Sequence, residues 1–581
     1  MGVRLGGLSA LALACLMGCS PAPSSSATPA REAEVQASNT PAPMGDVIPA
    51  SELYAGGTIY TGLPGGAQVE AVGVRQGRIV FTGTREAARA ITGPETQEID
   101  LAGAVMFPGF TDSHAHILGI GQRERTLNLE SVGSVIELQE ALQSWADLNR
   151  EGVITGRGWI ETHWPEARFP TRDDLDAIVP ERAVILVRAD GHALVANSAA
   201  MAMVGIDDAT PDPDGGAILR DEAGRASGMF VDAAMYPLMA LAQAPEGDVR
   251  AELYALGTHK MAMYGWTGVH DMSVPYADVA MAEGLATEGR LSTRVYISAN
   301  GGDYQSVVDE LSSRQSGDLV TARAVKVYVD GALGSRGAAL LEPYSDAPGT
   351  RGLILMQEDE AKALFERALR DGVQMAVHAI GDRGNRWVLD WMEAAFAAVP
   401  VEERAVAEPR WRIEHAQILT MDDLNRFAAL GVIASMQPSH AIGDLHFAKD
   451  RLGEARLQGA YAWHDLVESG AHVTGGSDAP VERGEARIEF YAAVARRDLE
   501  GFSDAHWHLE QRLSREAALY LFTQAPAYAS FREDELGTIE VGKRADFSVF
   551  DTDLMTAPED DLKHARPVMT IVGGQRVWRA D

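Results

Sequence analysis

Six residues scattered along the chain, His114, His116, Lys326, His378, His415 and Asp478, are candidates for holding divalent metal ions. His114 and His116 sit two residues apart in VMFPGFTDSHAHI, and residues i and i+2 of an extended strand point to one face. Two imidazoles can therefore reach one point from one backbone segment. Asp112 shares that face if the strand runs so far. Neutral imidazole and carboxylate oxygen suit Zn²⁺ and similar ions, and such an ion brings the pKa of a coordinated water to about 7. Lys326 is the odd member, because an ammonium repels a metal. It lies in AVKVYVDG between Val325 and Val327, where burial makes a cation costly. Two readings stand: an ion pair with Asp330 or another acid, or reaction with CO₂ to a carbamate (N6-carboxylysine) that bridges two metal ions.

Residues so far apart meet only if the fold gathers strand ends. Between roughly 108 and 535 the chain alternates short apolar segments with helical stretches such as EDEAKALFERALRDG and RGNRWVLDWMEAAFAAV. The apolar segments are AVMFPGF, RAVILVRAD, TGVHDM, AVKVYVDG, VQMAVHAIGD, RIEHAQ, VIASMQP and HVTGGSDAP. That rhythm predicts a parallel sheet with helical crossovers. Its length, and the polar residues that follow the strands, favour an α/β fold built on a (β/α)8 TIM-like barrel, whose strand ends converge on one face. The stretch from about 130 to 250 breaks the rhythm and reads as an inserted subdomain. Residues 48–107 and 536–581 carry short strands and Gly-rich turns, which predicts one small composite β-sandwich formed by both chain ends.

These motifs resemble the amidohydrolase superfamily from about residue 50 to the end. PGFTDSHAH is similar to its first-strand metal motif, VHAIGD to its fifth-strand histidine, RIEHAQ to its sixth, and GSDAPV to its eighth-strand aspartate. GRGWIETHWPE, VKVYVDGALGSRGAALLEPY and VHAIGDRGNRWVLD resemble amidohydrolase family 3, the branch of N-substituted formamide deformylase. The resemblance implies one or two divalent metal ions, most simply Zn²⁺. His114 and His116 would bind one and His378 and His415 the other. Asp478 would complete the first and act as general acid and base, and a modified Lys326 would bridge. A mononuclear site with His114, His116, one later histidine and Asp478 stays open. The implied activity is hydrolysis of a C–N bond in a small amide-like substrate by an amidase, deformylase or N-acyl amino acid hydrolase. Ester hydrolysis or deamination would use the same groups. A non-catalytic binding or sensory protein on this scaffold would be expected to have lost a ligand, and all six are present.

Other residues are candidates for substrate contact. His192 follows the strand VILVRA. Arg336, after GALGSRG, has a planar fork suited to a carboxylate but can equally pair with a local acid. Trp159 and Trp164 can line a pocket or simply pack. Gln437 and His440 in MQPSH follow the seventh strand. His270 in GVHDM should end the third strand and support the ligands from behind. Glu414, next to His415, should point away from the site into an ion pair.

Composition narrows the partners. The formal net charge is −33, which leaves no excess of basic groups to neutralise phosphates and argues against nucleic acid. Cys15 and Cys19 are the only cysteines, so thiolates play no part in a metal site of the body. Residues 1–19 have the layout of an export signal, and LMGC resembles a lipoprotein processing box that leaves Cys19 lipidated. Residues 20–47, rich in Ser, Ala and Pro, then form a flexible linker. The expectation is an exported lipoprotein, held to a membrane by its anchor alone and facing the periplasm or cell exterior. A homo-oligomer is compatible with all of this.

Overall fold

Eight short segments pair side by side, all parallel and in sequential order, in the computed structural model. They are β1 (Phe110–Ala115), β2 (Trp266–Val274), β3 (Arg294–Asn300), β4 (Val320–Tyr328), β5 (Gln374–Ala379), β6 (Arg412–His415), β7 (Ile433–Met436) and β8 (Val473–Gly475). The structure describes residues 49–580 except 131, 162–163, 190, 192, 214–215, 242–245 and 314–316. The signal segment, Cys19, the linker and His192 lie outside the described residues. Among those described, no helix is long and apolar enough to cross a membrane.

β5, β6, β7 and β8 are buried along their whole length, as expected of strands covered on both faces. Crossover helices cover the outside. Glu358–Asp371 opens with Glu358, Asp359 and Glu360, where acids favour a helix N-terminus, and ends at Gly372 in the left-handed conformation, φ 77°. The barrel is drawn together at the β8–β1 seam by Asp478 N–H donating to the His114 carbonyl (2.6 Å), Ser477 N–H to Asp112 Oδ1 (2.9 Å) and a Ser113–Thr474 hydroxyl pair (2.5 Å). A Cβ on Gly476 would lie 2.4 Å from the His114 nitrogen and 2.6 Å from Asp112 Oδ1, so this approach requires glycine.

VMFPGFTDSHAHI is not one strand. Val105–Pro108 belongs to another sheet, and the chain turns at Gly109 into β1. That other sheet contains strands from both chain ends. Phe547–Phe550 runs antiparallel to Val105–Pro108, which in turn pairs with Glu52–Tyr60. The hairpin Pro567–Val572 with Gln575–Arg579 extends the same sheet. Tyr54, Ile59, Val72, Met106, Phe547 and Ile571 form its core.

A six-stranded sheet spans Leu127–Asn128 to Ala226–Asp232 within the segment expected to be inserted. It takes Val184–Arg188, the RAVILVRAD segment that reads like a barrel strand. The barrel instead uses Arg294–Asn300, RVYISAN, whose polar residues disguise a strand buried at every position but Asn300. His270 accordingly lies within the second barrel strand rather than at the end of the third.

Candidate active site

Four imidazole rings and one carboxylate meet at the C-terminal end of the barrel. His114 is near the end of β1 and His116 just beyond it; His378 is on β5, His415 ends β6, and Asp478 follows β8. Asp478 Oδ1 lies 3.1 Å from His116 Nε2 and 3.5 Å from His114 Nε2. Ligand atoms of His114, His415 and Asp478 all fall within 4.8 Å of one another. The His415 ring is centred 4.5 Å from that of His378 and 4.7 Å from that of His114. Lys326 Nζ is 3.3 Å from His114 Nε2 and buried. Its alternative partner, Asp330, is engaged elsewhere, accepting from the backbone N–H groups of Ala339, Ile380 and Gly381.

Hydrogen bonds at the rear of three rings fix which nitrogen faces the site. His114 Nδ1–H donates to Glu414 Oε2 (2.6 Å), His116 Nδ1–H to the Met272 carbonyl (3.0 Å) and His415 Nδ1–H to Gln437 Oε1 (2.9 Å). Each acceptor is an oxygen, so each ring carries its proton on Nδ1 and presents a lone pair on Nε2, the arrangement that orients metal-ligating histidines. The fourth ring, His378, has a buried Nε2 without a hydrogen-bond partner among the described residues, 3.5 Å from Asp330 Oδ1. Three imidazole Nε2 atoms and one carboxylate, with the His378 ring beside that of His415, therefore fit one or two divalent cations.

Beneath the ligands lies a buried polar chain. Glu414 Oε1 pairs with Arg412 Nε at 2.7 Å, while Arg412 Nη1–H donates to His270 Nδ1 (2.7 Å) and Nη2–H to the Ser113 carbonyl (2.6 Å) and Ser435 Oγ (2.7 Å). Burial alone would raise the Glu414 carboxyl, but Arg412, His114 and Lys326 outweigh it and hold it well below the usual carboxylate range. The expectation that Glu414 faces away is half corrected: it has its ion pair, and it also holds His114. Strict alternation fails because His415 takes a left-handed φ of 76° at the strand end, turning its own side chain to the site as well. Arg412 was missed altogether. Its one sequence signal is an arginine two residues from Glu414, on the same strand face.

Charge in the site follows from burial. Burial, then Lys326, lowers His114 to about 4 and His378 to about 3. Asp478 would be raised by burial, but His114 and His116 hold it well below its ordinary value. His116 works the other way, since the Asp478 carboxylate outweighs burial and raises it. His114 and His378 stay neutral in the fold while the unfolded chain takes up protons below the ordinary histidine value of 6.5. Their contribution is complete above that value and is lost as pH falls toward their folded values. Metal-free protein should therefore show a urea midpoint that drops steadily between about pH 7 and pH 4.5; a flat midpoint over that range would contradict this assignment.

Several expected substrate contacts are corrected. Trp159 is fully buried, its indole N–H donates to the Leu186 carbonyl (2.9 Å), and it packs with Trp164 in the core of the inserted unit, so neither faces a ligand. Arg336 uses its fork on Asp346, with Nε at 3.1 Å and Nη2 at 2.8 Å. Gln437 is at the site, but its amide oxygen is occupied by His415. His440 is buried there too, with Nε2 at 3.5 Å from Asp478 Oδ2. His270 lies behind His114, linked to it through Arg412 and Glu414.

The model of the amidohydrolase family matches residues 97–578 of this chain. The chain belongs to that family. This amidohydrolase is 33% identical to YtcJ of Bacillus subtilis (strain 168) over 536 residues, 90% of its own length and 99% of the relative's. It is 27% identical to N-substituted formamide deformylase of Arthrobacter pascens, over 87% of this chain and 94% of that one. An uncharacterized metal-dependent hydrolase of Pyrococcus furiosus superposes with a TM-score of 0.70 at 30% identity, covering 87% of this chain and all of that one. The amidohydrolase is thus a hydrolase on an eight-stranded barrel, and its converging histidines and Asp478 make a candidate metal site at the barrel mouth.

Proposed function

We propose that the protein hydrolyses the C–N bond of a small amide-like substrate of the N-acyl amine class, with Zn²⁺ in the site. The observation that carries this is the convergence of lone pairs from His114, His116 and His415, with the His378 ring beside them, on the ionised Asp478. These five groups would hold the metal. When bound, the metal supplies Lewis acidity and activates water at neutral pH. Asp478 is placed to take a proton from the attacking water and return it to the amide nitrogen as the C–N bond breaks, leaving a carboxylic acid and an amine. The kinship with N-substituted formamide deformylase favours formamides among the N-acyl amines.

Lys326 supports a second ion. Burial lowers its ammonium to about 8, so an appreciable fraction is free amine at mildly alkaline pH. Addition of that amine to CO₂ would form one N–C bond and release one proton, giving an anion beside His114. We also propose export and anchoring through Cys19, which rests on the sequence of residues 1–19 alone.

The test is a hydrolysis panel of N-benzylformamide, p-nitroacetanilide, N-acetyl amino acids and small esters, run beside metal analysis of the purified protein. The expected result is one to two divalent ions per chain and cleavage of at least one N-acyl amine. Chelation should abolish turnover and lower the melting temperature, and Zn²⁺ should restore both. Zinc-supplemented protein that binds no metal, or that cuts only esters, would overturn the proposal.

A further inference from the structure

Among the described residues, two buried ring nitrogens at the barrel mouth have no hydrogen-bond partner, His378 Nε2 and His440 Nε2, and they differ in kind. His378 Nε2 lies 3.5 Å from Asp330 Oδ1. His440 Nε2 is at the site and cannot be a metal ligand, because of what lies behind it. Gln417 Nε2 meets His440 Nδ1 at 2.8 Å. A carboxamide nitrogen only donates, so Nδ1 is the acceptor and the ring proton sits on Nε2. That is the reverse of His114, His116 and His415, whose Nδ1 atoms all donate to oxygens. His440 therefore turns an N–H, not a lone pair, toward the reaction.

The surroundings leave this N–H waiting for an oxygen. His440 is 7% exposed and Gln417 4% exposed, so water does not readily replace a partner. Asp478 Oδ2 is 3.5 Å away, beyond hydrogen-bond length. Asp478 uses its other oxygen, Oδ1, for His116. His440 is fixed in the helix Pro438–Asp444 directly after β7, with its backbone N–H on the Gln437 carbonyl (3.2 Å), and Gln417 is held by its own carbonyl accepting from Tyr461 N–H (2.6 Å). A rigid, desolvated donor beside the proton-carrying carboxylate is built for charge that appears during reaction rather than for the resting protein.

We infer that His440 is a catalytic hydrogen-bond donor to the carbonyl oxygen of the amide substrate, and that Gln417 is the positioning residue that keeps its proton on Nε2. The inference rests on the hydrolase reading above. Water adds to the carbonyl carbon, the C=O electron pair moves onto oxygen, and the Nε2–H bonds to that oxygen without giving up its proton.

The experiment uses full-length, metal-loaded protein and whichever panel amide the wild type cuts fastest. His440→Ala should lower kcat by about 10²–10³ with little change in KM or metal content, and His440→Gln, which restores a side-chain N–H, should recover part of the loss. Gln417→Glu is a second route should His440→Ala fail to fold. A carboxylate accepts from Nδ1–H, moves the proton off Nε2 and should lower kcat comparably at unchanged metal content. ¹⁵N-histidine NMR should find His440 protonated on Nε2 in the wild type and on Nδ1 in Gln417→Glu. Full kcat in His440→Ala, full kcat in a Gln417→Glu protein whose proton has moved, or an Nδ1–H wild-type ring would overturn the inference while leaving the hydrolase reading intact. A wild type that cuts nothing in the panel removes the hydrolase reading itself.

Discussion

Asp478→Asn should lower kcat by about 10²–10⁴, the range expected when a positioned acid–base group is removed, and should also weaken metal binding. The two effects have different causes. Asn keeps the size of the side chain but cannot take a proton from water, which removes the relay. It also removes the negative charge next to His116 Nε2 at 3.1 Å and His114 Nε2 at 3.5 Å, and a cation site loses its nearest anion. Metal titration separates them. At saturating Zn²⁺ the metal content should recover while kcat stays low. If saturating metal restores wild-type kcat, Asp478 is a ligand and no more. The backbone should tolerate the exchange well, since the φ of 59° at Asp478 is among those asparagine adopts most readily.

The converging side chains were legible in the sequence because their signal is local. Imidazoles and a carboxylate follow apolar runs, and parallel strands bring such ends together wherever they lie in the chain. What was missed depends on geometry that a residue string does not carry. Glu414 looked like an outward neighbour of His415 because alternation assumes an unbroken strand, and the left-handed φ at His415 breaks it. RAVILVRAD is a better strand by composition than RVYISAN, yet its pairing partners are in the inserted unit. Trp159 and Arg336 were candidates for the right chemical reasons, and each proved to be used by an interaction inside the protein. Gln437 and Gln417 could not be told apart by type, although one turns its amide oxygen and the other its amide nitrogen to a histidine. That difference decides whether the ring faces the site as a ligand or as a donor.

The second large effect is expected at the buried Arg412–Glu414 pair. Arg412→Leu leaves the Glu414 carboxylate with His114 but no guanidinium, and breaking a buried pair from one side costs about 3–5 kcal/mol. The double variant Arg412→Leu/Glu414→Leu should cost clearly less than the sum of the singles, because no charge is then stranded. Glu414→Gln is the sharper test, since its amide oxygen can still accept from His114 Nδ1 while the charge is gone. It should weaken metal binding about 10–100-fold, the usual effect of altering the partner behind a ligating histidine, and destabilise the metal-free protein as well. The sign with pH follows from Glu414. Its folded value is depressed below the ordinary 4.5, so the pair contributes fully above that pH and its contribution is lost as acid protonates the carboxyl. Acid should consequently weaken the wild type more than the double variant. Arg412 also bonds Ser113 on β1, His270 on β2 and Ser435 on β7, so the group that aims His114 also joins four barrel strands. Stability and metal affinity should then fall together across these variants, and a Glu414→Gln protein that loses neither would separate what the geometry joins.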